Sequence, residues 1–143
     1  MSTPTFSALG VPAPLVAALT AAGITEPFPI QQDTLPDTLA GRDVLGRGKT
    51  GSGKTLAFAI PMVARLASTG RQGRKPRGLI LAPTRELATQ ISATLEPLAS
   101  AAGLNLTTIF GGVSQQRQVA ALKAGVDIEI GRASCRERVS LSV

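Results

Sequence analysis

Apolar positions along the chain follow two rhythms. Up to Gly41 they form short clusters broken by proline and glycine, and from Asp43 onward brief apolar runs alternate with longer segments of helical spacing. Residues 1–14 are rich in proline and small polar side chains, which predicts an extended arm; residues 15–22 predict a short helix ended by Gly23. Pro27 and Pro29 bracket Phe28 and force a turn. Pro29 suits the first position of a helix running towards Ala40, with a bend at Pro36 and a stop at Gly41. The second rhythm predicts a strand over 43–46, a glycine loop over 48–53 and a helix over 54–67. A hydrophilic loop, 68–77, then leads to a strand over 78–82. Thr84 can cap a helix that places Leu87, Ile91, Leu95 and Leu98 on one face. Residues 104–110 form a further strand, closed by Gly111 and Gly112; Ser114 opens a helix through Leu122, and 126–128 begin a fourth strand. Short strands alternating with helices predict an α/β fold built on a parallel sheet.

Composition narrows the chemistry. With 43% hydrophobic and 17% charged residues the chain has the balance of a globular protein of one domain, without internal repeats or low-complexity tracts. Its richest apolar stretch, 56–67, is interrupted by Pro61 and Arg65 and falls short of the ~20 residues of a membrane span. The amino terminus shows no basic region followed by an apolar run, so no secretion signal is read and the cytoplasm is the expected compartment. One cysteine, Cys135, excludes an internal disulfide framework, and the lack of histidine excludes a His-based zinc site or acid–base mechanism. Three arginines and one glutamate lie from Ile130 onward, so the net charge of +6 becomes +4 without them, a mild excess that favours an anionic partner such as nucleic acid.

Gly48, Lys49, Thr50, Gly51, Ser52, Gly53, Lys54 and Thr55 match the pattern G-x-x-x-x-G-K-[ST], after a predicted strand and at the opening of a predicted helix. Glycines at this spacing let backbone N–H groups turn inward around phosphate oxygens, and the helix start adds partial positive charge. Lys54 would reach the β- and γ-phosphates and the Thr55 hydroxyl would ligate Mg²⁺, making this pair the expected catalytic residues and Thr55 the metal ligand. The loop indicates a nucleoside triphosphate; kinases, GTPases, transporters and helicases all carry it.

A second motif is more specific. Gly23, Pro27, Pro29, Ile30 and Gln31, with Phe6 seventeen positions ahead of the glycine, resemble the Q motif of DEAD-box RNA helicases. Read alone, Gln31 is a surface residue at a helix start and Phe6 a core anchor. Within the motif, a glutamine amide can pair with the N6 and N7 edge of adenine and an aromatic ring can stack on the base, so Gln31 and Phe6 are expected to select ATP. Pro83, Thr84, Arg85, Glu86, Leu87 and Ala88 look like motif Ia of that family, and Gly111 with Gly112 like its double-glycine element. Both follow predicted strands, at the carboxyl ends where open α/β sheets bind ligands. The resemblance implies that Pro83, Thr84, Arg85, Gly111 and Gly112 hold the backbone of single-stranded RNA, in a sequence-tolerant and salt-sensitive way. Thr84 can at the same time be a helix cap, and Glu86 can favour the macrodipole. The basic loop 71–77 reads as a solvated loop or as an extension of an electropositive surface.

The resemblance covers residues 6–128 and implies a RecA-like P-loop NTPase domain, here truncated before its sheet is complete. Its expected division is an arm and short helix (1–22), a partial helicase ATP-binding domain (23–128) and a non-native tail (129–143). The family usually has alanine where Gly48 stands, a departure expected to cost loop rigidity. Beyond Ile128 the family would continue with an apolar strand, a Thr-Pro-Gly-Arg element and Asp-Glu-Ala-Asp, whereas residues 129–143 resemble the conceptual translation of a sequencing adapter. ATP, Mg²⁺ and RNA are thus the implied ligands of a full-length ATP-dependent RNA helicase. Without the Asp-Glu pair and a second domain supplying an arginine, this chain is expected to bind nucleotide without turning it over. The arginine alone is worth ~10³–10⁵ in rate in related NTPases.

Overall fold

Helix α1 (Ala13–Ala21) starts behind Pro12 and ends where Gly23 takes φ +80°, a backbone conformation in which a Cβ is unfavourable. The Gly23 N–H donates to the Thr20 carbonyl at 3.0 Å and the Ile24 N–H to the Leu19 carbonyl at 2.9 Å, the paired closure that satisfies orphan carbonyls at a helix end. The same closure ends α2 (Pro29–Leu39) at Gly41 and α4 (Arg85–Ala101) at Gly103. Pro29 occupies the first position of α2, where its missing N–H costs nothing, and Pro36 lies inside the helix. Helix α3 (Lys54–Thr69) buries Leu56, Ala59, Ile60 and Val63, one face at helical spacing.

Strands β1 (Gly78–Ala82), β2 (Leu106–Ile109) and β3 (Ile128–Arg132) form a parallel sheet in the order β1-β3-β2. Gly78 is opposite Ile128 on one side of β3 and Leu106 is opposite it on the other. Helix α4 packs on all three strands and against α1 and α3, and α2 packs on α3. The computed structural model describes residues 2–49, 51–69, 76–109 and 125–132.

Asp127 ties the strand starts together. Its carbonyl accepts the N–H groups of Arg77 and Gly78 at 2.8 and 2.9 Å, and its own N–H donates to Asn105 at 2.8 Å. Its carboxylate accepts the Arg77 guanidinium at 3.2 Å and the Asn105 N–H at 2.9 Å, so the buried charge is paired and hydrogen-bonded.

Three expectations are corrected. The arm at residues 1–14 is not a loose extension: a hydrogen-bonded turn follows Thr5, and Phe6 and Val11 are buried in the core with Leu15 and Leu19. Residues 43–46 are not a strand. They are exposed throughout, because among the described residues no neighbour offers them a ladder, and a lone apolar segment gains no strand hydrogen bonds. The sheet also does not break at Ile128. Strand β3 continues through Arg132 as the central strand, and Ile130 is fully buried. Ile128 and Ile130, two residues apart, share one face of the sheet and are both fully buried there. Glu129 between them points to the other face: its carboxylate is buried with one oxygen lacking a hydrogen-bond partner among the described residues, and burial raises its pKa from the ordinary 4.5. The predicted helix from Ser114 to Leu122, Phe110 and the tail from residue 133 lie outside the described residues.

Candidate nucleotide-binding site

The glycine loop leaves the exposed segment at Gly46 and enters α3 at Lys54. Gly51 and Gly53 take φ of +81° and +84°, and the Ser52 N–H closes a turn onto the Lys49 carbonyl at 3.1 Å. Lys54 folds back over this turn and its ammonium donates to the Gly48 carbonyl at 2.7 Å. The charge thus sits at the mouth of the loop, held by a neutral acceptor that an anion can replace with a stronger, charge-assisted bond. Thr55 follows at the amino end of α3, half-buried, and the Ser52 hydroxyl is buried without a partner among the described residues. Ammonium, hydroxyls and a helix start, with no carboxylate between Gly48 and Thr55, are a donor set that fits a polyphosphate.

Gly48 also has a local reason in this loop. A Cβ there would lie 2.6 Å from the Ser52 hydroxyl and 3.0 Å from Ile30 Cδ1, so the alanine usual in the family would push Ser52 aside.

Gln31 reaches the loop from α2. Its Oε1 accepts the Phe28 N–H at 3.0 Å, and its Nε2 donates to the Gly53 carbonyl at 3.0 Å, with the residue only 1% exposed. These bonds use one lone pair and one amide hydrogen and leave the amide enclosed, with no edge presented to the surface. Phe28, which the sequence marks only as the turn between prolines, lies against the same glycine. A Cβ built on Gly53 would be 2.5 Å from Gln31 Nε2 and 2.6 Å from Phe28 Cδ2.

Phe6 is not brought to this place. It is 2% exposed within the hydrophobic core and has no open face for a base. Its spacing ahead of Gly23 could not reveal which way the ring turns, and burial of a phenyl beside Leu15 and Leu19 is the stronger demand.

Next to the loop opens a cavity of about 870 Å³, reached by Gly51, Gly53, Lys54, Thr55 and Phe28. Its far wall is apolar, from Val44, Leu45, Phe58, Leu87 and Ile91. At the carboxyl end of β1, Pro83, Thr84 and Arg85 are exposed, and Thr84 caps α4 by accepting the Leu87 N–H at 3.1 Å. Thr50, Gly111 and Gly112 lie outside the described residues. Among the described residues there is no cluster of three or more acidic, cysteine or histidine side chains able to hold a metal, and no helix long and apolar enough to cross a membrane.

A glycine loop closed by lysine and threonine, opening a helix beside a parallel sheet, defines a P-loop α/β protein. Comparison with known proteins takes the assignment further. The family model described as DEAD/DEAH box helicase matches residues 28–136, and the chain belongs to that family. It is 48% identical over 130 residues to the ATP-dependent RNA helicase RhlB of Sodalis glossinidius, a match covering 88% of this chain and 31% of the relative. It is 48% identical over 128 residues to the chloroplastic DEAD-box ATP-dependent RNA helicase 3A of Zea mays, covering 86% and 17%. Its fold superposes on the RNA helicase Prp28 of Chaetomium thermophilum bound to ADP with a TM-score of 0.85, at 35% identity, over 99% of this chain and 36% of that one. The RecA-like fold expected from the sequence is therefore present, and the chain spans about a third of the length of its RhlB relative.

Proposed function

We propose that this chain is the nucleotide-binding part of an ATP-dependent RNA helicase. The observation that carries this is the placement of Lys54 over the glycine turn, hydrogen-bonded to the Gly48 carbonyl, with Gln31 bracing the opposite edge of the loop through Gly53. On arrival of a triphosphate, Lys54 exchanges the carbonyl for phosphate oxygens, and backbone N–H groups around Gly51 and Gly53 supply further donors. Mg²⁺, when bound, would neutralise phosphate charge, with the Thr55 hydroxyl as its ligand from this loop. Selection of ATP over GTP is assigned to Gln31, whose unused lone pair and amide hydrogen match the N6 donor and N7 acceptor of adenine and are reached once the loop at Gly53 moves off the buried amide. Thr84 and Arg85, with Pro83 before them, stand at the carboxyl end of β1, where RNA backbone would lie; the Thr84 hydroxyl accepts from Leu87 and keeps its own proton to donate.

Within the whole helicase these groups hold ATP and one RNA strand while hydrolysis resets the grip. This chain alone binds without turnover, since its sequence holds no Asp-Glu-Ala-Asp element. The test is a competition titration with a fluorescent ATP analogue, using the whole chain and Lys54→Ala. The expected outcome is displacement by ATP, weaker displacement by GTP, no saturable binding to Lys54→Ala and no phosphate release. Equal affinity for ATP and GTP would remove the role given to Gln31, and unchanged binding by Lys54→Ala would remove the phosphate site.

A further inference from the structure

Helix α3 begins with Lys54 and Thr55 and ends at Thr69, and a helix of 16 residues is about 24 Å long. What holds its far end therefore bears on where the near end presents the ammonium and the hydroxyl. Arg77, the residue before β1, holds that far end: its Nη1 donates to the Thr69 hydroxyl at 2.8 Å, while its Nη2 donates to the Asp127 carboxylate at 3.2 Å. The Thr69 hydroxyl gives its own proton to the Arg65 carbonyl at 3.1 Å, so a lone pair is left for Arg77. Asp127 stands directly before β3 and also accepts the N–H of Asn105, directly before β2. One guanidinium thus joins the end of α3 to the starts of all three strands. Gly78 adds a close approach at the same place, since a Cβ there would lie 3.1 Å from both Leu66 Cδ1 and Met62 Sδ on α3.

Neutralising the buried Asp127 accounts for one of these two bonds, because a buried carboxylate without a partner is costly. It does not account for the other. The bond to Thr69 uses the second arm of the planar fork to fasten a helix end, which the single nitrogen of a lysine could not do while also holding Asp127.

We propose that Arg77 is a positioning residue for the phosphate site: by tying Thr69 to the strand starts it sets the angle at which α3 presents Lys54 and Thr55. This rests on the reading of the glycine loop as a nucleotide site and adds a residue at the opposite end of the helix that tunes it.

The experiment titrates the whole chain with a fluorescent ATP analogue, well below the melting point of each protein, and records each Tm. The variants are Thr69→Val, Arg77→Lys, the two combined, and Val11→Ala as a core truncation away from α3. Thr69→Val removes the hydroxyl and leaves Arg77 on Asp127; Arg77→Lys keeps the charge. Each should bind about three- to tenfold more weakly, the range expected when a remote coupling contact is lost. The combined variant should be no weaker than the singles, since all three lack the same bond, and Val11→Ala should lower Tm while binding as the parent does. Parent-like affinity in either single variant, losses that add in the combined one, or an equal loss in Val11→Ala overturns the positioning role and leaves the phosphate site standing. Failure of the parent chain to bind the analogue overturns both.

Discussion

Gln31 holds the protein together at the place where it is expected to meet a ligand. Buried and bonded at both ends of its amide, it links the start of α2 to a glycine 22 residues further on. Gln31→Ala leaves the Phe28 N–H and the second acceptor site of Gly53 unanswered, at a cost of about 1–3 kcal/mol, visible as a lower Tm in thermal unfolding. Gln31→Glu keeps the acceptor but loses the donor, so its Tm should fall as well; an unchanged Tm in both would show that these bonds carry no stability. Gly53→Ala sets a Cβ against both the buried amide and the Phe28 ring at φ +84°, and should abolish saturable ATP-analogue binding in the same titration. The sequence disclosed the donors and acceptors of Gln31 but not their first partners, since a contact across 22 residues depends on how α2 lies on α3. Phe6 was misplaced for a related reason: its spacing along the chain carries no information about whether its ring turns inward.

At the scale of elements, local signals served well where the segment supplies its own hydrogen bonds. Pro29, Gly23, Gly41 and Thr84 marked helix ends that the structure confirms, and β1 matches its predicted span. Thr84→Ala should lower stability by about 1 kcal/mol, measured by denaturant unfolding, through loss of the cap on Leu87. Segment 43–46 failed because a strand exists only with a neighbour. Strand β3 reversed the error: its backbone continues despite Glu129, since both flanking strands hold it in register. Burial favours the protonated form of that carboxyl, so the folded state binds its proton more tightly than the unfolded chain does. Stability contributed by this site is therefore greatest below the ordinary value of 4.5, declines as pH rises towards the raised folded value, and is level above it. Glu129→Val removes this dependence, fits a strand, and should gain about 1–3 kcal/mol at neutral pH in urea unfolding; an unchanged pH profile would show that Glu129 is solvated.

Taken whole, the molecule has a sheet whose described strands end at β1 on one side, while Val44 and Leu45 stand exposed across an apolar cavity, Leu45 at 91%. An open edge beside exposed apolar side chains promotes association between chains. Sedimentation velocity over a range of concentrations should show self-association, and Leu45→Lys should reduce it.

The open flank of β1 also makes folding a question of mass action. Among the described residues nothing covers the apolar wall at Val44 and Leu45, and a chain gains stability from whatever covers such a wall, in proportion to the logarithm of that partner's concentration. Mixed with a polypeptide carrying the segment that follows the matched region in a longer relative, it should melt at a temperature that climbs with the amount added.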